Sequence, residues 1–338
     1  MRIIKRILQT LAIIIMGLLI VIVLLLTVSP KPSASFFAQA FNGTVKITNP
    51  KMYMSNQPNV KVTKSVAYGQ QKDETADIYQ PKAAPNNKIV VWMHGGGFIG
   101  GDKSGMKEFA TDLVGQTKVT LVALNYTVAP DGKYPTQVQQ LAKGLSFVKQ
   151  HAAAWGLDPQ KVQIILGGDS AGAQIAAQYA ALATNAKYAK AVPEVPVPVK
   201  QIAGTVLYCG PYDFQLFIKD NKNNSSLVMK WFIHTIGWSM TGKFFWDKSS
   251  LVEQGSVPNK VTSAFPTSYI TDGNRFTFES SGKELVNELS AHGVPVTSRF
   301  FPHKEAVNHE YQFDFATDKA QVTFAQTVKF INALPSKN

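Results

Sequence analysis

The sequence predicts an α/β domain: a mainly parallel sheet with helices on both faces. Three observations predict it. Strand-like and helix-like segments alternate from residue 88 onward. The strands read as near-continuous apolar runs, as strands covered on both faces must. One such run, Val162-Gln163-Ile164-Ile165-Leu166, passes through Gly168-Asp169-Ser170-Ala171-Gly172 straight into a helix of small residues.

Before that domain comes a different kind of chain. Residues 7–27 carry no charge, and at ~1.5 Å per residue they reach about 31 Å, the thickness of a bilayer core. The run is longer than a usual signal-peptide apolar region. The small-residue triplet Ala38-Gln39-Ala40 lies well beyond its end, so the expectation is a retained transmembrane signal anchor rather than a cleaved signal. Arg2, Lys5 and Arg6 crowd one end and only Lys31 lies near the other. The basic end is therefore expected in the cytoplasm and the rest of the chain outside it, at the cell membrane. Pro30-Lys31-Pro32-Ser33-Ala34-Ser35 reads as the start of an extended linker. The expected organisation is residues 1–29 as cytoplasmic end and anchor, 30–59 as basic linker, and 60–338 as the folded domain.

The net charge of +12 is concentrated at the front, because Asp73 is the first acidic residue and nine of the basic ones precede it. Such a tether fits either attraction to anionic headgroups or a solvated linker. The excess forms no compact patch with interleaved aromatics, which argues against nucleic-acid binding. A single cysteine, Cys209, excludes an internal disulfide, and its neighbours Val206-Leu207-Tyr208 make it a buried strand residue.

Within the domain, residues 60–67 and 75–79 alternate in the manner of early antiparallel strands, and residues 88–93 form a fully buried strand. A helix over 107–114, a strand over 120–125 and a helix over 136–151 follow. Strands over 202–208, 266–271 and 296–301 continue the sheet, and a helix over 321–334 closes it. Between residues 214 and 263 the alternation breaks down. This segment holds Trp231, Phe232, Trp238, Phe244, Phe245 and Trp246, with Asn221, Asn223, Asn224 and Ser225 as a polar turn. It reads either as a cap-like insertion whose aromatics line a substrate pocket or as helices packed on the sheet edge.

The stretch around Ser170 has the form of a nucleophile elbow, with glycines two residues before and after the serine to relieve collisions across the bend. Upstream, His94-Gly95-Gly96-Gly97-Phe98 follows directly on a strand; downstream lie Asp272 at a strand end and His309 in a late loop. These motifs, in this order, resemble the hormone-sensitive-lipase-like esterases of the α/β-hydrolase fold. The resemblance runs from about Tyr68 to the C-terminus. It includes Asp77-Ile78-Tyr79-Gln80-Pro81, Asn125-Tyr126-Thr127-Val128-Ala129-Pro130 with Tyr134-Pro135, and Trp155-Gly156-Leu157-Asp158-Pro159. The chain departs from the family at Asn125 and Asp131, where Asp and Glu are usual, and around the expected acid.

The resemblance implies a carboxylic-ester hydrolase acting through an acyl-enzyme on a small-molecule ester, with Ser170 as nucleophile and His309 as base. His303, six residues earlier, is the rival base. The oxyanion donors should be the N–H groups of Gly96, Gly97 and Ala171, and His94 should hold the glycine loop in shape. Asp169 should point away across the turn in a structural role. For the orienting acid, Asp272 at the strand's C-terminal edge is favoured over Glu279 at the next helix start. No cofactor or metal is implied. The same machinery would also serve an amidase or a deacetylase of cell-surface polymers. A catalytically silent fold used for adhesion or binding would not need Ser170, His309 and the glycine loop together.

Overall fold

The computed structural model of the protein describes residues 2–43, 46–196, 202–224 and 226–335, of which 19, 20, 22–25 and 222–224 by backbone alone. Among the described residues eight strands form one sheet: β1 (Val60–Ala67), β2 (Thr75–Pro81), β3 (Lys88–Met93), β4 (Thr120–Leu124), β5 (Gln163–Asp169), β6 (Ile202–Tyr208), β7 (Ser268–Thr271) and β8 (Val296–Arg299). Their order is β1-β2-β4-β3-β5-β6-β7-β8. The first two pairings are antiparallel and the remaining five parallel.

The order reverses at β3, whose neighbours are β4 on one side and β5 on the other, with Met93 opposite Gly168. In an open α/β sheet such a reversal opens a crevice at the strands' C-terminal ends, and ligands bind there. The loops leaving β3 and β5 are therefore side by side at that crevice.

The parallel strands are covered on both faces. In β3, Ile89, Val91 and Met93 belong to one apolar cluster, while Val90 and Trp92 belong to the other. One face is packed by α5 (Thr136–His151), α6 (Ala171–Thr184) and α11 (Glu279–Ala291), the other by α4 (Lys107–Thr117) and α12 (Asp318–Ala333). Small residues let α6 approach the sheet closely: a Cβ on Gly172 would lie 2.0 Å from the carbonyl oxygen of Met93.

Between β6 and β7 the chain leaves the sheet to form α8 (Phe214–Asn224), α9 (Leu227–Thr241) and α10 (Ser250–Gly255). Asn221, Asn223 and Asn224 do not form the expected polar turn: they are the last turn of α8, while Ser225 lies outside the described residues.

The segment before the sheet also differs from expectation. Residues 31–38 are not an extended linker but a helix, α2 (Lys31–Ala38), and a short α3 (Pro50–Asn56) follows. Pro32 occupies the first turn of α2, where its missing N–H and fixed φ cost nothing. Tertiary packing supplies the rest: Phe36 stacks on Trp231, Phe37 meets Trp231 and Phe232 edge-on, and the Trp231 indole donates to Ser33 Oγ at 3.2 Å. Glu108 fastens residues 48–49 by accepting the N–H groups of Thr48 at 2.7 Å and Asn49 at 2.6 Å.

Ahead of α2 runs α1 (Arg2–Val28), 27 residues long and with exposed apolar side chains such as Ile7, Leu11, Ile14 and Leu18. Among the described residues no helix is long and apolar enough to cross a membrane.

Candidate active site

Ser170 stands where β5 hands over to α6, with φ 49° and ψ −118°. That backbone conformation is costly for a residue with a Cβ and persists only where the surroundings impose it. Here they do. The Ser170 N–H donates to the Tyr208 carbonyl at 2.8 Å, and a Cβ on Gly168 would lie 2.4 Å from the Gly172 backbone. Only glycine at both positions lets strand and helix meet at this angle. The serine hydroxyl then emerges at the N-terminus of α6, where the helix field favours negative charge.

Beside it lies the loop from His94 to Gly97. Gly96 has φ 115° and Gly97 φ 59°, and a Cβ on Gly96 would lie 2.2 Å from the Gly100 oxygen. The loop is held from beneath by Asp169, whose side chain turns away from Ser170. It accepts from the Trp92 indole at 2.7 Å and from the Gly95 N–H at 2.7 Å. Burial, and after it the Glu310 carboxylate, push the Asp169 pKa up against these two donors. His94 is buried, stacked on Tyr126 at 4.3 Å and 2.6 Å through Nδ1 from the Gly95 oxygen. Burial presses its pKa down to about 4, so it is a neutral ring that shapes the loop. Among the described residues, the N–H groups of Gly96, Gly97 and Ala171 donate to no protein acceptor, which leaves them available to an oxyanion at this spot.

His309 Nε2 lies 3.1 Å from Ser170 Oγ. Its other nitrogen, Nδ1, lies 3.7 Å from Asp272 Oδ1, an ion-pair distance longer than a hydrogen bond, and catalytic hydrogen bonds often tighten only when substrate binds. Asp272 is 1% exposed at the end of β7; it accepts from the N–H groups of Gly273 at 2.7 Å and Phe278 at 3.0 Å. Burial opposes charge on His309, but Asp272, Glu310 and Asp169 outweigh it and hold the pKa above the ordinary histidine value.

The structure thus brings together Ser170, His309, Asp272, Gly96, Gly97 and Ala171. It leaves the two rivals outside that contact. Glu279 turns its carboxylate to Lys283 at 2.7 Å. His303 is exposed on the cavity wall and makes no hydrogen bond to Ser170 among the described residues.

Two positions that matter here carry no signal in the sequence. Asn274 ties the histidine loop to the β7 turn: its amide donates to the Pro302 and Glu305 oxygens at 3.0 and 2.6 Å and accepts from the Val307 N–H at 3.0 Å. The His309 N–H then reaches the Arg275 oxygen at 3.0 Å. The second is Glu310, whose Oε1 lies 3.9 Å from His309 Nε2. Asn274 acts through contacts between loops, while Glu310 faces its own neighbour in the chain.

Above the serine is a cavity of about 870 Å³, mostly apolar, lined by Phe214, Met229, Phe232, Ile236 and Trp246 from the 214–255 helices and by Phe41 from beyond α2. Of the six aromatics expected there, Phe232 and Trp246 do line it. Trp231 instead packs on α2, Trp238 and Phe244 pack on each other and on His234, and Phe245 is largely exposed. Among the described residues one group could gather a metal ion, Cys209, His309 and Glu310, with ligand atoms within 4.8 Å of one another. Burial drives the Cys209 thiol pKa far up, which makes it a poor ligand.

A family model described as alpha/beta hydrolase fold matches residues 90–312, from β3 through the histidine loop. The chain belongs to that family, in its hormone-sensitive-lipase-like group. Among similar proteins, an acetyl esterase of Salmonella schwarzengrund is 31% identical over 104 residues, 31% of each chain. A probable isoprenylcysteine alpha-carbonyl methylesterase of Arabidopsis thaliana is 32% identical over 117 residues, 34% of this chain and 24% of that one. The match thus spans a third or less of these relatives. Esterase B from Lactobacillus rhamnosis superimposes with a TM-score of 0.69 at 18% identity, covering 84% of this chain and 90% of that one. For the esterase of the archaeon Pyrobaculum calidifontis the values are 0.65, 18%, 91% and 95%. At such identities the likeness is one of fold.

Proposed function

We propose that this alpha/beta hydrolase cleaves carboxylic esters of small molecules through an acyl-enzyme on Ser170. The observation that carries the reading is the 3.1 Å contact of His309 Nε2 with Ser170 Oγ, at an elbow facing three unengaged backbone N–H groups. In the proposed mechanism Ser170 Oγ attacks the ester carbonyl carbon while its proton passes to His309 Nε2. Asp272 holds the ring and stabilises the imidazolium, and the N–H groups of Gly96, Gly97 and Ala171 receive the developing oxyanion. The tetrahedral species collapses with loss of the alcohol, which takes the proton from His309. Water then attacks the acyl-serine by the same route in reverse. The apolar cavity suits the acyl chain or a hydrophobic alcohol.

The ester class is supported by the names of the relatives, an acetyl esterase and a methylesterase among them. A panel of aryl esters of graded acyl length tests it: turnover that falls at one acyl length supports the reading, and no turnover of any ester by pure, folded protein refutes it.

From the sequence we further propose that the enzyme sits at the cell membrane, single-pass, with residues 7–27 as a retained signal anchor and the hydrolase domain outside the cytoplasm. Residues 7–27 are uncharged and Arg2, Lys5 and Arg6 precede them, the asymmetry that keeps a basic end inside. Protease added to intact cells stripped of any wall should release the domain; protection until lysis would reverse the orientation.

A further inference from the structure

Glu310 is next to His309 and makes no obvious sense as a structural residue. Its backbone sits at φ 58°, ψ 21°, the left-handed region that costs an ordinary side chain about 1 kcal/mol or more. Glycine would take this conformation without strain. The carboxylate gives little back in folding terms: among the described residues it accepts no hydrogen bond, its Oε1 lies 3.9 Å from His309 Nε2, and its other neighbours are the Cys209 thiol and the Asp169 carboxylate, which it repels. A Cβ on Gly95 would come within 2.4 Å of Asp169 Oδ2 and 2.8 Å of Glu310 Oε1, so both carboxylates crowd this position. The side chain is 40% exposed and lies between two cavities, the large apolar one over Ser170 and a second of about 340 Å³ behind the glycine loop. About half of that second cavity's wall is polar, with Lys46, His94, Asp102 and Asp169 in it.

An unpaired carboxylate in such a place holds water. The 3.9 Å gap to His309 Nε2 is too long for a direct hydrogen bond and suits one bridging water about 2.8 Å from each atom. Nε2 is also the atom 3.1 Å from Ser170 Oγ, so a water bridged in this way lies beside the carbon of an acyl group on that serine.

We propose that Glu310 is a positioning residue for deacylation, orienting the hydrolytic water on His309 with the second cavity as its supply. This rests on the acyl-enzyme reading above. In the step, water donates one hydrogen to Glu310 and the other to His309 Nε2. Its oxygen forms a bond to the acyl carbon as Nε2 takes the second hydrogen as a proton. The tetrahedral species then breaks its bond to Ser170 Oγ, which recovers that proton from Nε2, and the carboxylic acid departs. Glu310 is unchanged throughout. Acylation needs no hydrolytic water, and the charge of the 40% exposed Glu310 is screened by solvent, so its effect on acylation is small beside that on deacylation.

The test is stopped-flow hydrolysis of p-nitrophenyl acetate by the full chain in detergent, comparing wild type with Glu310→Gln and Glu310→Gly. The glycine variant suits the positive φ and should melt no lower than wild type. Expected in both variants is a first turnover within about threefold of wild type, followed by a steady state slowed about 10- to 100-fold. Acetylated Ser170 should accumulate in intact-mass spectra. The acidic limb of the deacylation rate should also move to lower pH, because a negative charge facing His309 is removed while that of Asp272 remains. Equal slowing of both phases, or no change in either, overturns the role of Glu310. A wild type that gives neither burst nor turnover instead refutes the ester-hydrolase reading itself.

Discussion

Replacing Asp272 by Asn removes one negative charge while keeping the side chain's shape. With Asp272 Oδ1 3.7 Å from His309 Nδ1, Coulomb attraction to an imidazolium is about 4 kcal/mol at an effective dielectric of ~20. At about 1.4 kcal/mol per decade this corresponds to a loss of roughly a thousandfold in rate. Tautomer control adds to it, because the Asn amide can present N–H to Nδ1 and turn the ring's proton toward Ser170. Stability should suffer less. The carboxylate accepts the N–H groups of Gly273 and Phe278, and an amide can satisfy only one of them, a penalty of about 1 to 3 kcal/mol. The assay is kcat on an aryl acetate beside a thermal melt, with Glu279→Gln in parallel. Glu279 is paired with Lys283, so its variant should keep kcat within a few-fold. An Asp272→Asn enzyme within tenfold of wild type, or a collapse in Glu279→Gln, would refute the reasoning.

Two further outcomes are expected. His309 must be neutral to accept a proton, and nearby carboxylates hold its pKa above the ordinary value. The pH profile of kcat/KM should therefore fall on the acid side from above pH ~6.5, and Asp272→Asn should move that limb down; a limb at or below the ordinary value contradicts the field described. Gly172→Ala would put a methyl 2.0 Å from the Met93 oxygen, a backbone contact with no flexible partner. It should cost several degrees in Tm, about 1 to 3 kcal/mol, and a wild-type melting curve would deny the close approach of α6 to β3.

Much of the sheet is legible because strands buried on both faces must be apolar throughout: β3 begins and ends where its run does, and β4, β5 and β6 lie within a few residues of theirs. The elbow is legible for a different reason. Gly168 and Gly172 are dictated by contacts with one another and with the neighbouring strand, so the local pattern carries the tertiary constraint. α2 was hidden because eight residues with two prolines nearby carry little helical signal of their own. Its helix is stabilised by Trp231 and Phe232, nearly two hundred residues away.

The acid at the histidine was ambiguous in sequence because two carboxylates lie close together. Their surroundings separate them, since Asp272 is buried at a strand end while Glu279 has a lysine one helical turn along. Asn274 and Glu310 left no pattern at all. Asn274 acts across a gap between loops, and loop-to-loop distances are not written in periodicity; Glu310 is the histidine's own neighbour, but the direction in which a loop carboxylate turns is not written there either.

The central claim is that Ser170 is the nucleophile, and covalent capture tests it most directly. The full chain is treated with a fluorophosphonate probe and the adduct located by peptide mass spectrometry, with Ser170→Ala as control. The account predicts one adduct, on Ser170, and none in the alanine variant. Labelling that persists in Ser170→Ala, or an unlabelled wild type that melts normally, would contradict it.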